Sequence, residues 1–441
     1  MPGATSTGHR LFRVILKNNE EMLRIMRFLV RSLCRDGLVL VLGMTASVAA
    51  QTDSVARQLG GMRGSLISPA SAEVAKNGEG TTLRLKDGRL LHLLSRHLRP
   101  TNAEKYPNPD LWPAVIAETV STDNGLTWSA PEVLFRSTTG QNAMQPSLAR
   151  LKNGAIGVTY SRIDSLSQAT KVFRSSRDEG ASWSEEKLIS PGDSYWTGAH
   201  DRLVVLSTGR LLYPLHTKLE VQPERMATRI TYSDDHGQSW RLVQQLIEVK
   251  DAIPEFLAKY GNRHRSGFWE ASIAERADGS LLMIGRTYGG YLYSCTSTDK
   301  GLTWREPVPT PLMSSAAPGR LERVPGSNDL LVVWNSCCLD PANSLLGNRL
   351  TLSAAISQDG GQTWRWHREI ESIVPGAQNR VEYPAITIDG GQVYLTYRAN
   401  SGSDRQTFLM QEYLIVLPLA WFYAERDHHR PGAAKSVKRD R

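Results

Sequence analysis

Five copies of one eight-residue motif constrain this chain more than any other feature. Each holds Ser, Asp, Gly and Trp at fixed offsets, with Ser or Thr in the seventh place. The copies are Ser121, Asp123, Gly125, Trp128; Ser176, Asp178, Gly180, Trp183; Ser233, Asp235, Gly237, Trp240; Ser297, Asp299, Gly301, Trp304; and Ser357, Asp359, Gly361, Trp364. From Asp to Asp the steps are 55, 57, 64 and 60 residues. Self-similarity at such a period points to a propeller or another repeat array. The residue types read as a hairpin turn. Asp and Ser side chains accept hydrogen bonds from nearby backbone N–H groups. Gly supplies a backbone angle that other residues resist, and Trp gives an apolar body to bury between strands. Nothing in the motif needs to be catalytic.

A second signature alternates with the first. A turn residue and Gly open a short apolar run at Gly88, Gly154, Gly209, Gly279 and Gly390, and Asn328-Asp329 opens a run of the same kind. A turn signal before an apolar run reads as a strand entered from a hairpin. This signature occurs six times and the Trp motif five, the last unit lacking a Trp motif after Tyr397. The count predicts an all-β fold, a six-bladed β-propeller of about four strands per blade. The repeats run from about residue 81 to 418, and we assign residues 51–424 to the propeller, 1–50 to an export signal and 425–441 to a basic, disordered tail.

Net charge is +8, but residues 1–50 carry seven Lys/Arg against three Asp/Glu, and residues 425–441 carry six against three. The basic surplus sits at the ends, so no nucleic-acid footprint crosses the fold. Arg27, Arg31 and Arg35 precede the apolar run 38–44, and Val48-Ala49-Ala50 offers a small-residue cleavage site. These features predict a start at Met22 or Met26, cleavage near Ala50 and a secreted or periplasmic protein. The apolar run is too short to span a bilayer, so no stable membrane insertion is expected. Cys34 leaves with the signal. Cys295, Cys337 and Cys338 are too few for a disulfide framework and read as small apolar residues. No Cys/His spacing resembles a zinc site, and no metal or other cofactor is expected.

The eight-residue motif is the Asp-box, or bacterial neuraminidase repeat, and a six-bladed propeller carrying several resembles the sialidase superfamily over roughly residues 75–420. The resemblance implies a retaining exo-glycosidase that removes terminal sialic acid. Such a site needs a cationic cluster for the sugar carboxylate, where the planar fork of Arg binds bidentately. It also needs a nucleophile that an anionic sugar does not repel, which in the family is a Tyr activated by Glu, with a separate Asp as acid/base. By position along the chain, the resemblance implies Glu270 as the base that activates Tyr383, with Arg286 and Arg349 as carboxylate clamps. Glu382 adjoins Tyr383, and alternation along an extended strand would point the two to opposite faces.

Two parts of the family pattern differ. Its first Arg should lie about ten residues before Gly88, where this chain reads Asn77-Gly78-Glu79-Gly80. Glu79 there would repel a carboxylate, and Arg96 is the substitute expected from the far end of the next strand. The acid/base Asp should precede the first Asp-box, where Asp110 stands. His200-Asp201-Arg202 and Gln145-Pro146-Ser147 occupy the same blade position as Glu270. Asp201 and Arg202 are read as pocket residues or as a structural pair. The partner expected is a glycan, bound by a monomer. Because propellers with such boxes also serve other ends, two alternatives stand: an enzyme for another acidic glycan of uronic-acid type, and a non-catalytic propeller that binds glycans or proteins.

Overall fold

The computed structural model describes residues 63–102, 108–140, 142–221, 224–249, 264–336, 349–372, 380–401 and 409–424. The expected signal region, Cys34, Cys337, Cys338, residues 250–263 and the basic tail lie outside these residues. Among the described residues, no helix is long and apolar enough to cross a membrane, and Cys295 is buried and unbridged.

The chain is all-β, as expected, and its described strands form antiparallel meanders in chain order. The first is Lys76–Arg84, Leu90–His97, Ala114–Ser121 and Glu132–Phe135. The second is Asn142–Arg150, Ile156–Ile163, Ala169–Ser176 and Lys187–Leu188. The third opens with the short pieces Trp196–Thr197 and Val204–Val205, then runs through Leu211–Val221, Glu224–Ser233 and Arg241–Leu242. The fourth is Trp269–Glu275, Leu281–Arg286, Tyr291–Ser297 and Val308–Met313. The fifth is Arg320–Arg323, Leu330–Asn335, Thr351–Ser357 and Arg365–Ser372. The sixth supplies Val381–Asp389, Gln392–Ser401 and Leu409–Pro418. Its fourth strand comes from the other end of the chain: Arg63–Ser68 pairs antiparallel with Leu409–Pro418. That explains why no Trp motif follows Tyr397, since no hairpin leads from the third strand to the fourth.

Each Asp-box is the turn between third and fourth strands. In the first, the Asp123 carboxylate accepts from the Thr127 N–H at 2.9 Å and from the Thr127 hydroxyl at 2.5 Å, while the Gly125 N–H donates to Ser121 Oγ at 2.8 Å. The other four repeat this pattern through Asp178, Asp235, Asp299 and Asp359. The five Asp side chains are consumed by their own turns, as the sequence implied.

The box glycines also set how closely neighbouring meanders approach. Gly237 has φ +86°, and a Cβ there would fall 2.2 Å from Phe173 Cε1 of the preceding meander. Gly88 has φ +89° with open space around it. We therefore expect Gly88→Ala to cost about 1–2 kcal/mol of backbone strain. Gly237→Ala should cost about 1–3 kcal/mol more for overpacking, which the two urea midpoints will reveal.

Apolar clusters lie between consecutive meanders. Leu91, Ile156 and Tyr160 join the first to the second, and Phe173 and Leu211 the second to the third. Leu212 and Met283 join the third to the fourth, Leu282 and Trp334 the fourth to the fifth, and Leu331 and Leu395 the fifth to the sixth. Leu90 packs with Tyr394, Leu414 and Ile67, so the sixth also meets the first. The first strands of the first, second, fourth and sixth meanders are mostly buried, and residues of the first, fifth and sixth converge on Asp201. Its carboxylate accepts from Thr81 at 2.9 Å (first meander), from Arg320 Nε at 2.6 Å (fifth) and from the Ile386 N–H at 3.1 Å (sixth).

Candidate active site

Four first strands carry a residue in the left-handed backbone region, Glu79 (φ 56°), Gln145 (φ 61°), Glu270 (φ 49°) and Tyr383 (φ 58°), and Asp201 (φ 53°) has the same conformation between the two short pieces that open the third meander. At four of them the strand register slips, between Gly78 and Thr81, Met144 and Ser147, Trp269 and Ser272, and Glu382 and Ala385. Such a bulge re-aims a side chain, and strained backbone of this kind collects at functional sites. It also breaks the alternation that would have separated Glu382 from Tyr383.

Two members of this set meet. The Tyr383 hydroxyl donates to Glu270 Oε1 at 2.8 Å, and Arg286 holds Glu270 Oε2 at 2.6 Å. Burial opposes ionisation of Glu270, but the Arg286 guanidinium more than offsets it and draws the carboxyl down to about 2. Burial, with the Glu270 carboxylate, pushes the Tyr383 phenol well above its ordinary value. The pair is thus a phenol donating to a carboxylate, the starting state for a nucleophile with its base. His200 steadies Tyr383 from behind, its Nε2 3.1 Å from the Tyr383 carbonyl. A carbonyl only accepts, so Nε2 carries the proton.

Tyr383 is flanked by two guanidinium groups, Arg398 at 4.0 Å and Arg349 at 5.4 Å from the ring centroid. Glu382 joins them: its Oε2 takes Arg349, and its Oε1 takes Arg398 Nε at 3.0 Å and Nη2 at 2.8 Å. Burial opposes its ionisation, and the two guanidinium groups hold the carboxyl well below the usual range nonetheless. Arg398 continues to Glu79, whose carboxylate lies 3.8 Å from Lys76 Nζ, and Lys76 pairs with Asp110. Asp110 sits in the short helical turn Pro109–Leu111 with its side chain about half exposed, so it is the open end of this chain of charges.

Of the residues expected from sequence, Glu270, Tyr383, Arg286 and Arg349 come together, and Asp110 is joined to them through Lys76, Glu79 and Arg398. Three others do not belong to this cluster. Arg96 turns away to Asn77 Oδ1 at 3.3 Å and the Pro131 carbonyl at 3.4 Å. Asp201 is the central strut described above. Arg202 is 1% exposed and donates to the carbonyls of His200, Asp201 and Gly319. Both are structural, because their hydrogen-bonding groups face the protein. Arg398 and Glu382 were missed as site residues. Arg398 left a signal: it sits opposite Glu382 near the end of its meander's second strand, much as Arg286 sits opposite Trp269. Among the described residues, no His, Cys, Asp and Glu cluster could hold a metal ion.

A cavity of about 610 Å³ lies elsewhere, lined by the far ends of the first strands, including Arg150, Glu275, Glu322 and Ile388. It reaches Asp201 and Arg320 but none of Tyr383, Glu270, Arg349 or Arg398.

Residues 108–395 match the BNR repeat-like domain family. An anhydrosialidase of the leech Macrobdella decora is 34% identical over 159 residues, a match that covers 34% of this chain and 18% of that protein. Among solved structures, the leech intramolecular trans-sialidase superposes with a TM-score of 0.59 at 17% identity, over 81% of this chain and 70% of that one. The intramolecular trans-sialidase of Ruminococcus gnavus gives 0.59 at 16% identity, over 82% and 98% of the two chains. The NanB sialidase of Streptococcus pneumoniae gives 0.57 at 15% identity, over 80% and 70%.

Proposed function

The chain belongs to the BNR repeat-like domain family of the sialidase superfamily, and on that premise we propose that it is a retaining exo-glycosidase acting on a terminal sialic acid or a related acidic sugar. We further infer that the six meanders close as a six-bladed β-propeller with the first strands innermost, a reading supported by the apolar cluster between the sixth meander and the first. The observation that carries the functional proposal is the Tyr383–Glu270 hydrogen bond, buried between cations.

In the proposed first step Tyr383 Oη attacks the anomeric carbon, its proton passes to Glu270, and the bond to the leaving oxygen breaks. In the second, water attacks that carbon and gives up a proton. The C–O bond to Tyr383 breaks as the water oxygen bonds to carbon, the water proton goes to Asp110, and Tyr383 Oη recovers its proton from Glu270. Arg286 and Arg349 would hold the sugar carboxylate. Asp110, ion-paired with Lys76, is a carboxylate, the form that takes the proton from water. A poor leaving group also needs a proton in the first step; Asp110 gives it from its minor protonated form and takes one back from water in the second step. An aryl leaving group needs no such proton.

The test is turnover of an α-sialoside followed by proton NMR. Retention requires the α-anomer of the free sugar to appear first, and inversion would sink the proposal. For Asp110→Asn we expect a loss of about 10²–10⁴-fold on an unactivated sialyl-oligosaccharide. Bond cleavage in an aryl sialoside, read as single-turnover release of the phenol, should fall far less. Equal losses on both substrates would remove Asp110 from the acid role.

One observation favours a second reading. Glu79 stands where the resemblance places the first carboxylate-binding Arg, so the pocket departs from the pattern for sialic acid, and another glycan of uronic-acid type is the second substrate class. Product chromatography from a panel of acidic polysaccharides separates this reading from the first.

A further inference from the structure

We propose that Arg398 supplies the third carboxylate-binding cation of the pocket, in the place that no arginine of the first meander fills, and that Glu79 is its counter-ion. This rests on the reading of the site as one for an acidic sugar.

Three observations carry it. Arg398 is the nearer of the two guanidinium groups flanking Tyr383, at 4.0 Å from the ring centroid against 5.4 Å for Arg349. Both guanidinium groups thus lie against the side chain that carries the attacking oxygen. Next, Glu382 gives one carboxylate oxygen to each of these arginines. A single carboxylate thereby holds two guanidinium groups side by side; Arg349 Nη2 also donates to the Ala316 carbonyl at 2.9 Å and Arg398 Nη1 to Glu79, and each of these terminal nitrogens keeps a second N–H for a further carboxylate. Lastly, the first meander is shaped to approach Arg398. A Cβ at Gly78 would fall 2.8 Å from Arg398 Cβ, and the left-handed residue that follows, Glu79, brings its carboxylate onto Arg398 Nη1. The carboxylate that looked repulsive in sequence is thus neutralised by the arginine it positions.

The experiment measures binding of N-acetylneuraminic acid and of its methyl ester by ligand-observed NMR, beside turnover of an aryl α-sialoside. It uses the whole protein and its Arg398→Ala, Arg398→Lys and Arg398→Glu variants, together with the double variant Glu79→Arg/Arg398→Glu. We expect wild type to favour the acid over the ester. Arg398→Ala should weaken acid binding by about 30-fold or more and largely remove that preference. Arg398→Lys keeps the charge and the fold but loses the fork, so it should retain part of the preference. Arg398→Glu alone should abolish acid binding, and the double variant, which moves the guanidinium to the first meander, should recover most of it.

An unchanged acid-to-ester preference in Arg398→Ala overturns the inference. Should that variant fail to fold, a folded Arg398→Lys with the full preference, and a double variant no better than Arg398→Glu, overturn it instead. If wild type binds the acid but turns over no sialoside, the glycosidase reading falls while Arg398 is still judged by the preference. If wild type binds neither ligand, both readings fall.

Discussion

Tyr383→Phe is expected to leave a folded protein that turns over no sialoside at a measurable rate, a loss on the order of 10³-fold or more. The substitution removes one oxygen from a side chain that is 8% exposed. The ring stays, and with it the packing of Arg398 and Arg349 against it. The hydrogen bond to Glu270 goes, and Glu270 Oε1 loses its donor, but Glu270 Oε2 keeps Arg286. The stability cost is therefore about 1–2 kcal/mol, the usual price of one unsatisfied buried acceptor. Melting temperature and activity should separate sharply. Turnover within tenfold of wild type would remove Tyr383 from the chemistry.

Glu382→Ala is expected to have the opposite profile, acting first on the fold. Glu382 is 1% exposed and is the shared partner of two buried guanidinium groups. Removing it takes from Arg349 its carboxylate partner and leaves Arg398 with Glu79 alone. Breaking a buried pair by deleting one partner typically costs about 3–5 kcal/mol, enough to threaten a domain of ordinary stability. Acid adds a second signature. The folded protein holds the Glu382 carboxyl well below its ordinary value of 4.5. Its contribution to stability is thus fully present above about 4.5 and is lost as pH falls toward the folded value. Unfolding free energies from pH 7 down to pH 3 should decline less steeply in Glu382→Gln than in wild type. Parallel curves would mean that Glu382 is not the buried anion described here.

Much of this arrangement could be read from the sequence because the repeats are local. Each Asp-box closes on itself within eight residues, so Asp123, Gly125 and Thr127 announce a turn wherever they occur. The glycine-led strands, counted from Gly154, Gly209 and Gly279, put Gln145, Asp201 and Glu270 at equivalent positions from sequence alone. The family order then located Arg286, Arg349 and Tyr383.

What could not be read depends on contacts between distant segments. Arg63–Ser68 is six residues with no turn motif behind it, and only Leu409–Pro418, more than three hundred residues on, makes it a strand. Arg96 and Arg398 both lie near the ends of second strands, and sequence position alone favoured Arg96. The difference is the neighbour across the ladder: Asn77 faces Arg96, whereas Glu382 faces Arg398. Alternation would separate Glu382 from Tyr383 only on extended backbone, and the φ of 58° at Tyr383 departs from that condition. Asp201 and Arg202 shared a blade position with Glu270 but not its surroundings. Thr81, Arg320 and Ile386 reach Asp201 from three other meanders and turn a candidate binding residue into a central strut.

The most direct test of the account is the mass of the peptide containing Tyr383, digested from wild-type protein quenched with acid during turnover of an aryl α-sialoside. The account predicts a sialyl adduct on Tyr383 that is missing from Tyr383→Phe. Turnover with the adduct on another residue, or turnover by an inverting route with no adduct at all, would contradict it.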